Sequence, residues 1–233
     1  MGNYRATVSG ISWSGSDIAI LRLSFAGGVP FTFKPGQYIL VYVKAGEESH
    51  IKPYSIASPP SEKGFIELCI KVVPEGVVSH YMSSMKGGET IEISGPGGIF
   101  TLQEEIKNDI IFAATGTGIS SLKPMIETIF EQGTSKEVFL FFGAKTAGEI
   151  LYRKGFESLA RKHRNFHFIP VVSQDPGFPG EKGHVQDIIP KYVKSPRGKD
   201  LYICGVLKMV EETIRWAEGF GFEKRKIHFE KYV

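Results

Sequence analysis

Cysteine is scarce in this chain: only Cys69 and Cys204 occur among 233 residues, and no CxxC pair exists. Within the chain that excludes a cysteine-held zinc or iron–sulfur centre, and it fits a reducing cytoplasm better than a disulfide framework. Long apolar runs are absent too. None approaches the ~18 residues of a membrane span, the opening MGNYRATVSG lacks a signal peptide's apolar stretch, and Ala6 breaks a myristoylation pattern. Charge of one sign is slight. A net +3 implies no nucleic-acid partner by itself. GxSxG, HExxH and P-loop motifs are missing. His163 and His167 flank the predicted start of a strand, so they share no helix face and predict no metal site.

What remains is ordinary globular composition, 42% hydrophobic and 23% charged, at a length that suits two domains. Residues 1–104 read as short strands: Tyr4–Trp13, Ile18–Phe25, Gln37–Lys44, Phe65–Val73 and Thr90–Ser94. Turns punctuate them at Gly27-Gly28, Pro35-Gly36, Pro59-Pro60 and Gly87-Gly88, and one short helix fits Val77–Met85. About six such strands predict an antiparallel β-barrel. Residues 105–233 change pattern. Strands Ile110–Ala114, Glu137–Phe142, Phe166–Val172, Asp200–Cys204 and Lys226–Phe229 alternate with helices at Ser121–Glu131, Tyr152–His163, Val185–Ile189 and Leu207–Glu218. That alternation predicts a five-stranded parallel sheet in an α/β domain, with Gly219 and Gly221 stopping the last helix.

The centre of the second half is IIFAATGTGISSLKPMIETIF, Ile110 to Phe130. An apolar run leads into Thr115-Gly116-Thr117-Gly118, and a helical pattern follows, capped by Ser120 or Ser121 and stopped by Gly133. Pro124 is expected in the first turn, where a missing N–H costs nothing. A bare loop at a helix N-terminus suits a pyrophosphate. The spacing is GxGxxS, however, and the next strand ends in Gly143-Ala144-Lys145 with no carboxylate, so the standard dinucleotide fingerprint is incomplete. A plain tight turn is the other reading. Five segments converge on the carboxyl edge of the sheet: Thr115–Gly118, Gly143–Lys145, Ser173-Gln174, Cys204-Gly205, and Glu230–Val233 beyond the last strand. A ligand cleft is expected there.

The whole pattern resembles the ferredoxin–NADP reductase family over residues ~4 to 233. Lys52-Pro53-Tyr54-Ser55 stands where the family has Arg-x-Tyr-Ser/Thr; alone it reads as a strand start after a loop. Leu68-Cys69-Ile70-Lys71 matches a strand whose backbone runs along the flavin. Gly76-Val77-Val78-Ser79 matches a turn opening a helix onto the flavin pyrophosphate, and alone is a capped turn. Gly95-Pro96-Gly97-Gly98-Ile99-Phe100 matches the family's GPxGxF. Thr115-Gly116-Thr117-Gly118-Ile119 matches the nicotinamide-nucleotide loop, with Ser120-Ser121 in place of Ala-Pro. Cys204-Gly205, followed by Met209, matches the turn beside the nicotinamide, and IHFEKYV matches the family's ending.

The resemblance implies a flavoprotein oxidoreductase holding FAD, with FMN second, and taking hydride from NAD(P)H. It implies catalytic roles for Ser55, Cys204, Glu230 and Tyr232. Flavin contacts are implied for Lys52, Pro53, Tyr54, Ser55, Cys69, Ile70, Lys71, Gly76, Val77, Val78, Ser79 and Tyr232. Nucleotide contacts are implied for Thr115, Gly116, Thr117, Gly118, Ala144, Lys145, Ser173, Cys204, Gly205 and Met209. Lysine at 52 neutralises phosphate without arginine's bidentate fork. The expected partner is a separate ferredoxin-like or flavodoxin-like carrier and the expected state a monomer. The alternatives are a free-flavin reductase, a subunit of a larger complex, and a simple nucleotide-binding module. Lys145 and Arg153 could meet a 2′-phosphate, but no arginine follows Ser173, which leans to NADH. The basic stretches Arg161–Arg164, Lys191–Lys199 and Lys224–Lys226 read as solvated faces or as a docking face for an acidic carrier.

Overall fold

The structure, a computed structural model, describes residues 1–25, 27 and 31–232. It divides into two compact units, Met1–Leu102 with Lys123–Gln132, and Gln103–Leu122 with Gly133–Val233.

The first unit carries strands β1 (Gly2–Ser14), β2 (Ile18–Phe25), β3 (Tyr38–Ala45), β4 (Glu48–Ser55) and β5 (Ile66–Lys71), then helix α1 (Val77–Ser84) and strand β6 (Thr90–Gly97). Six antiparallel strands run in the order β4-β3-β6-β1-β2-β5. The sheet curls until its two edges touch at the Ile56–Leu68 bridge, beside a 2.7 Å bond from the Ala57 N–H to the Glu67 carbonyl. Inward residues of each strand (Leu21, Leu23, Ile39, Val41, Leu68, Ile70, Ile91, Ile93) fill the interior with Val78 and Met82 of α1. Each such side chain contributes roughly 1.5–3 kcal/mol on leaving water. β4 was not foreseen as a strand. Lys52–Ser55 ends it rather than starting one, and Pro53 is tolerated because β4 lies at a sheet edge. Of the predicted Gly27-Gly28 turn, Gly28 lies outside the described residues.

The second unit carries β7 (Asp109–Thr115), α2 (Ile119–Gln132, shared with the first), β8 (Val138–Ala144), α3 (Arg153–Lys162), β9 (Phe166–Val172), β10 (Glu181–Lys182), α4 (Val185–Tyr192), β11 (Lys199–Val206), α5 (Leu207–Phe220) and β12 (Ile227–Tyr232). Its sheet is parallel, in the order β10-β9-β8-β7-β11-β12. All five expected strands are present, and two-residue β10 makes a sixth. Ile110–Ala114 of β7 is buried throughout, as a central parallel strand requires.

Four local expectations are corrected. Helix α2 starts at Ile119, directly after a 3-10 turn at Gly116–Gly118, so Gly118 is its cap and Ser120 and Ser121 lie inside the helix. Pro124 therefore falls in the second turn, where it removes an intrahelical bond. Gly219 lies within α5, and Gly221 at φ 99° ends it. Glu230 and Tyr232 belong to β12 rather than to a tail beyond it. The Gly133 stop stands, at φ 82°.

Candidate active site

In the first unit, β4 ends with Lys52 and Pro53 exposed, Tyr54 half-buried and Ser55 buried. Tyr54 packs on the barrel core, and burial pushes its phenol up to about 12, so it stays a neutral flat ring. On β5, Cys69 and Ile70 are buried, which leaves only their backbone for a ligand, while Lys71 is exposed and 3.9 Å from Asp17. Ahead of α1, a Cβ on Gly76 would lie 2.3 Å from Ser79 Oγ and 2.6 Å from Val73 Cγ2. The Ser79 hydroxyl donates to the Gly76 carbonyl at 2.9 Å and accepts the Val73 N–H at 3.4 Å. Ser79 thus shapes the turn, while Val78 is buried and Val77 half-exposed. The first-turn N–H groups of α1, with no side-chain cap at Gly76, suit a phosphate.

In the second unit, the chain leaves β7 in opposite directions, toward β8 and β9 on one side and β11 and β12 on the other. That makes β7/β11 the switch point, where open α/β sheets take ligands. Two loops interlock there. A Cβ on Gly118 would lie 2.4 Å from the Cys204 carbonyl oxygen, and one on Gly205, at φ +154°, would lie 2.2 Å from Thr115 Oγ1. The Val206 N–H donates to that Thr115 oxygen at 3.3 Å. Gly116, at φ +53°, has nothing within 4 Å of its would-be Cβ. Two glycines thus bring the backbones together and one keeps a space open, a cradle that fits a pyrophosphate. At the neighbouring strand ends, the Ser173 N–H and hydroxyl both donate to the Ala144 carbonyl, and Lys145 is exposed. Met209 is buried on α5, its Cε 2.7 Å from the would-be Gly205 Cβ, so it supports the turn from beneath.

Strand register completes the edge. Cys204 pairs with Glu230, and Val206 with Tyr232. Fully buried Ser121 donates to Glu230 Oε2 at 2.9 Å and lies 3.1 Å from the Tyr232 hydroxyl. The Cys204 thiol points at Ser121 Oγ (3.8 Å) and Glu230 Oε2 (3.9 Å). Burial first, and the Glu230 charge second, push that thiol far up, so it is a neutral group and no thiolate nucleophile. Sequence reasoning considered Ser121 only as a helix cap and missed that it joins Cys204, Glu230 and Tyr232. The departure from Ala-Pro at positions 120–121 was the available signal.

Residues 6–102 match the oxidoreductase FAD-binding domain and residues 112–215 the oxidoreductase NAD-binding domain. Ferredoxin–NADP reductase B of Sorangium cellulosum is 31% identical, over 91% of this chain and 91% of that protein. The chain belongs to the ferredoxin–NADP reductase family. The reductase component of phenol 2-monooxygenase from a Pseudomonas species is 30% identical over 99% of this chain and 65% of that protein, so the chain spans just under two thirds of that relative's length. A crystal structure of a cytochrome P450 reductase from Amycolatopsis superposes with a TM-score of 0.90 at 28% identity, over 99% of this chain and 69% of that one. Among the described residues, no helix of this family member is long and apolar enough to cross a membrane.

Proposed function

We propose that the chain binds FAD on its first unit and NAD(P)H on its second, and works as the reductase of an electron-transfer system. The observation that carries this reading is the interlocked loop pair at the β7/β11 switch point, with Ser121, Cys204, Glu230 and Tyr232 clustered beside it. When bound, the nicotinamide supplies a hydride and the flavin accepts it and gives electrons up one at a time.

The chain's own residues bind, orient and exclude. N–H groups at the Gly116–Gly118 turn and the start of α2 hold the nucleotide's pyrophosphate, and Lys145 and Ser173 receive its adenosine end. The start of α1 at Gly76 holds the flavin's pyrophosphate, with exposed Lys52 as a point charge for a phosphate. Tyr54 offers a flat wall, the backbone of Cys69, Ile70 and Lys71 an edge, and Ser55 a hydroxyl near the reacting ring. Neutral Cys204 walls the nicotinamide pocket. Glu230 holds or releases the proton that accompanies electron transfer. Holding reactants in register is where such a protein gains several kcal/mol.

The named relatives serve oxygenases or ferredoxin, so a separate ferredoxin-like or flavodoxin-like protein, or an oxygenase component, is the acceptor we favour. We favour NADH, because Arg153 is held by Glu157 at 2.7 Å. The two unbridged cysteines support a cytoplasmic setting. One observation favours a second reading. Exposed Lys52 in the arginine position weakens the phosphate grip, as a reductase of free flavin would need. A visible spectrum of the purified chain, followed by anaerobic titration with NADH and NADPH, separates them. A yellow protein bleached by nucleotide supports the first reading, and a colourless protein that oxidises NADH only with added flavin supports the second. No reaction under either condition sinks both.

A further inference from the structure

A strand that leaves its sheet carries a carbonyl with it, and a buried carbonyl must find a donor. Ala57 is such a residue. It follows the end of β4 by two positions, is fully buried, and donates its own N–H to the Glu67 carbonyl at 2.7 Å. Ser58 comes next, and then Pro59-Pro60, which have no N–H to offer. The donor comes from far along the chain: the Lys123 ammonium meets the Ala57 carbonyl at 2.9 Å. The same ammonium lies 4.0 Å from the Glu67 carboxylate and 3.0 Å from that of Glu127. Lys123 therefore grips both residues of the Ala57–Glu67 bond, one by its carbonyl and the other by its side chain. Arg22 holds the Glu67 carboxylate from elsewhere at 3.2 Å, and the Glu67 N–H donates to the buried Ser58 hydroxyl at 3.0 Å.

A buried ammonium must be desolvated, and an apolar side chain of similar size often gives as much stability. What the cation adds is a fixed register. The two edges of the curled sheet meet at a single bridge, Ile56–Leu68, and the neighbouring Ala57–Glu67 bond, not along a ladder. Tyr54 and Ser55 lie directly before this seam on one edge, and Cys69, Ile70 and Lys71 directly after it on the other. A slip of one residue there would turn Ser55 to the opposite face and carry the backbone of Cys69–Lys71 away from it.

We propose that Lys123 is a positioning residue for the flavin: it locks the seam in register and so sets Tyr54 and Ser55 against the backbone of Cys69–Lys71. The proposal rests on the flavin-binding reading above. Lys123 opens the part of α2 that belongs to the strand-rich unit, while α2 residues up to Leu122 belong to the other unit. The flavin segments are thus fastened by a helix whose first turn is assigned to the nucleotide.

Titration of FAD into the full chain, stripped of any flavin it carries when purified and followed by quenching of flavin fluorescence, tests this without turnover. Calorimetry with ADP-ribose is the control. Lys123→Met keeps the apolar stem and removes the ammonium. It should weaken FAD binding about ten- to a hundredfold, the range of a charge-assisted hydrogen bond, and leave ADP-ribose binding unchanged. Lys123→Arg keeps the charge and the donors, and should recover most of that loss. Glu67→Gln keeps the shape of the other anchor without its charge. It should weaken FAD binding about three- to tenfold, and should add no further loss to Lys123→Met, because the two residues act as one grip. It decides the matter if Lys123→Met does not fold. FAD binding unchanged in these variants, a loss shared equally by ADP-ribose, or no recovery with arginine overturns the proposal and leaves the flavin site standing. A wild-type chain that does not bind FAD overturns both.

Discussion

Gly118 in the second unit and Gly76 in the first hold their turns by opposite means. In the second, backbone meets backbone at Gly118, whose missing Cβ faces the Cys204 carbonyl oxygen at 2.4 Å, while that of Gly205 faces side-chain atoms first, Thr115 Oγ1 at 2.2 Å and Met209 Cε at 2.7 Å. In the first, the missing Cβ of Gly76 faces side-chain atoms of Ser79 and Val73 before any backbone atom. Rotamers can turn aside, whereas a strand end and a helix start cannot move apart without disturbing the sheet between them. The Gly118 turn is therefore set by the framework, and the Gly76 turn by side chains that have room to adjust.

The largest test of that contrast is Gly118→Ala. It should lower stability by about 3 kcal/mol, because overpacking here meets fixed backbone, and nucleotide binding should go with it. Gly116→Ala, in open space two residues earlier, should cost only the left-handed backbone term of about 1–2 kcal/mol. Urea unfolding of both variants measures the difference, and equal losses would break the comparison.

Acid comes next, and it should act on the second unit. Asp200, buried near the start of β11, would be raised by burial alone, but the His228 ring at 3.9 Å, a 2.8 Å hydrogen bond from Asn108 and the Lys226 ammonium at 3.0 Å overrule that and hold it at about 2. A depressed carboxylate contributes stability above its unfolded value of 3.8 and loses it as pH falls toward 2. That loss should be on the order of 2 kcal/mol. Unfolding midpoints measured down through this window should fall in the wild type and flatten in Asp200→Asn. A wild-type profile as flat as the variant's would remove the assignment. The smallest effect should be Gly76→Ala, about 1 kcal/mol in the same urea assay, with Ser79 Oγ turning aside to make room. A cost equal to that of Gly118→Ala would show the flavin turn to be as rigid as the nucleotide loops.

The same contrast governs what was legible in the sequence. β7, β8, β9 and β11 announce themselves as apolar runs, because a parallel sheet covered on both faces needs them. β4 reads ESHIKPYS and is mostly exposed, so no alternation marks it, although it carries Tyr54 and Ser55. Those two were found through the family motif and not through periodicity. β10, at two residues, is below the length at which any pattern exists. The glycines at 116, 118 and 205 were visible as a motif, but which of them holds space and which closes it depends on neighbours far along the chain. Ser121 was hidden for the same reason, since its partners lie 83, 109 and 111 positions away.

Lys123, one helical turn past the Gly118 cap, limits how the protein can be cut. Its ammonium donates to the Ala57 carbonyl at 2.9 Å and lies 4.0 Å from the buried carboxylate of Glu67, both in the strand-rich unit. A gene trimmed after residue 104 would keep every strand of that unit and discard a cation its interior was built around. The halves of this molecule are modules in architecture but not in inheritance. Recombination after residue 104 would hand the recipient of the strand-rich half a fold with a debt to the segment left behind.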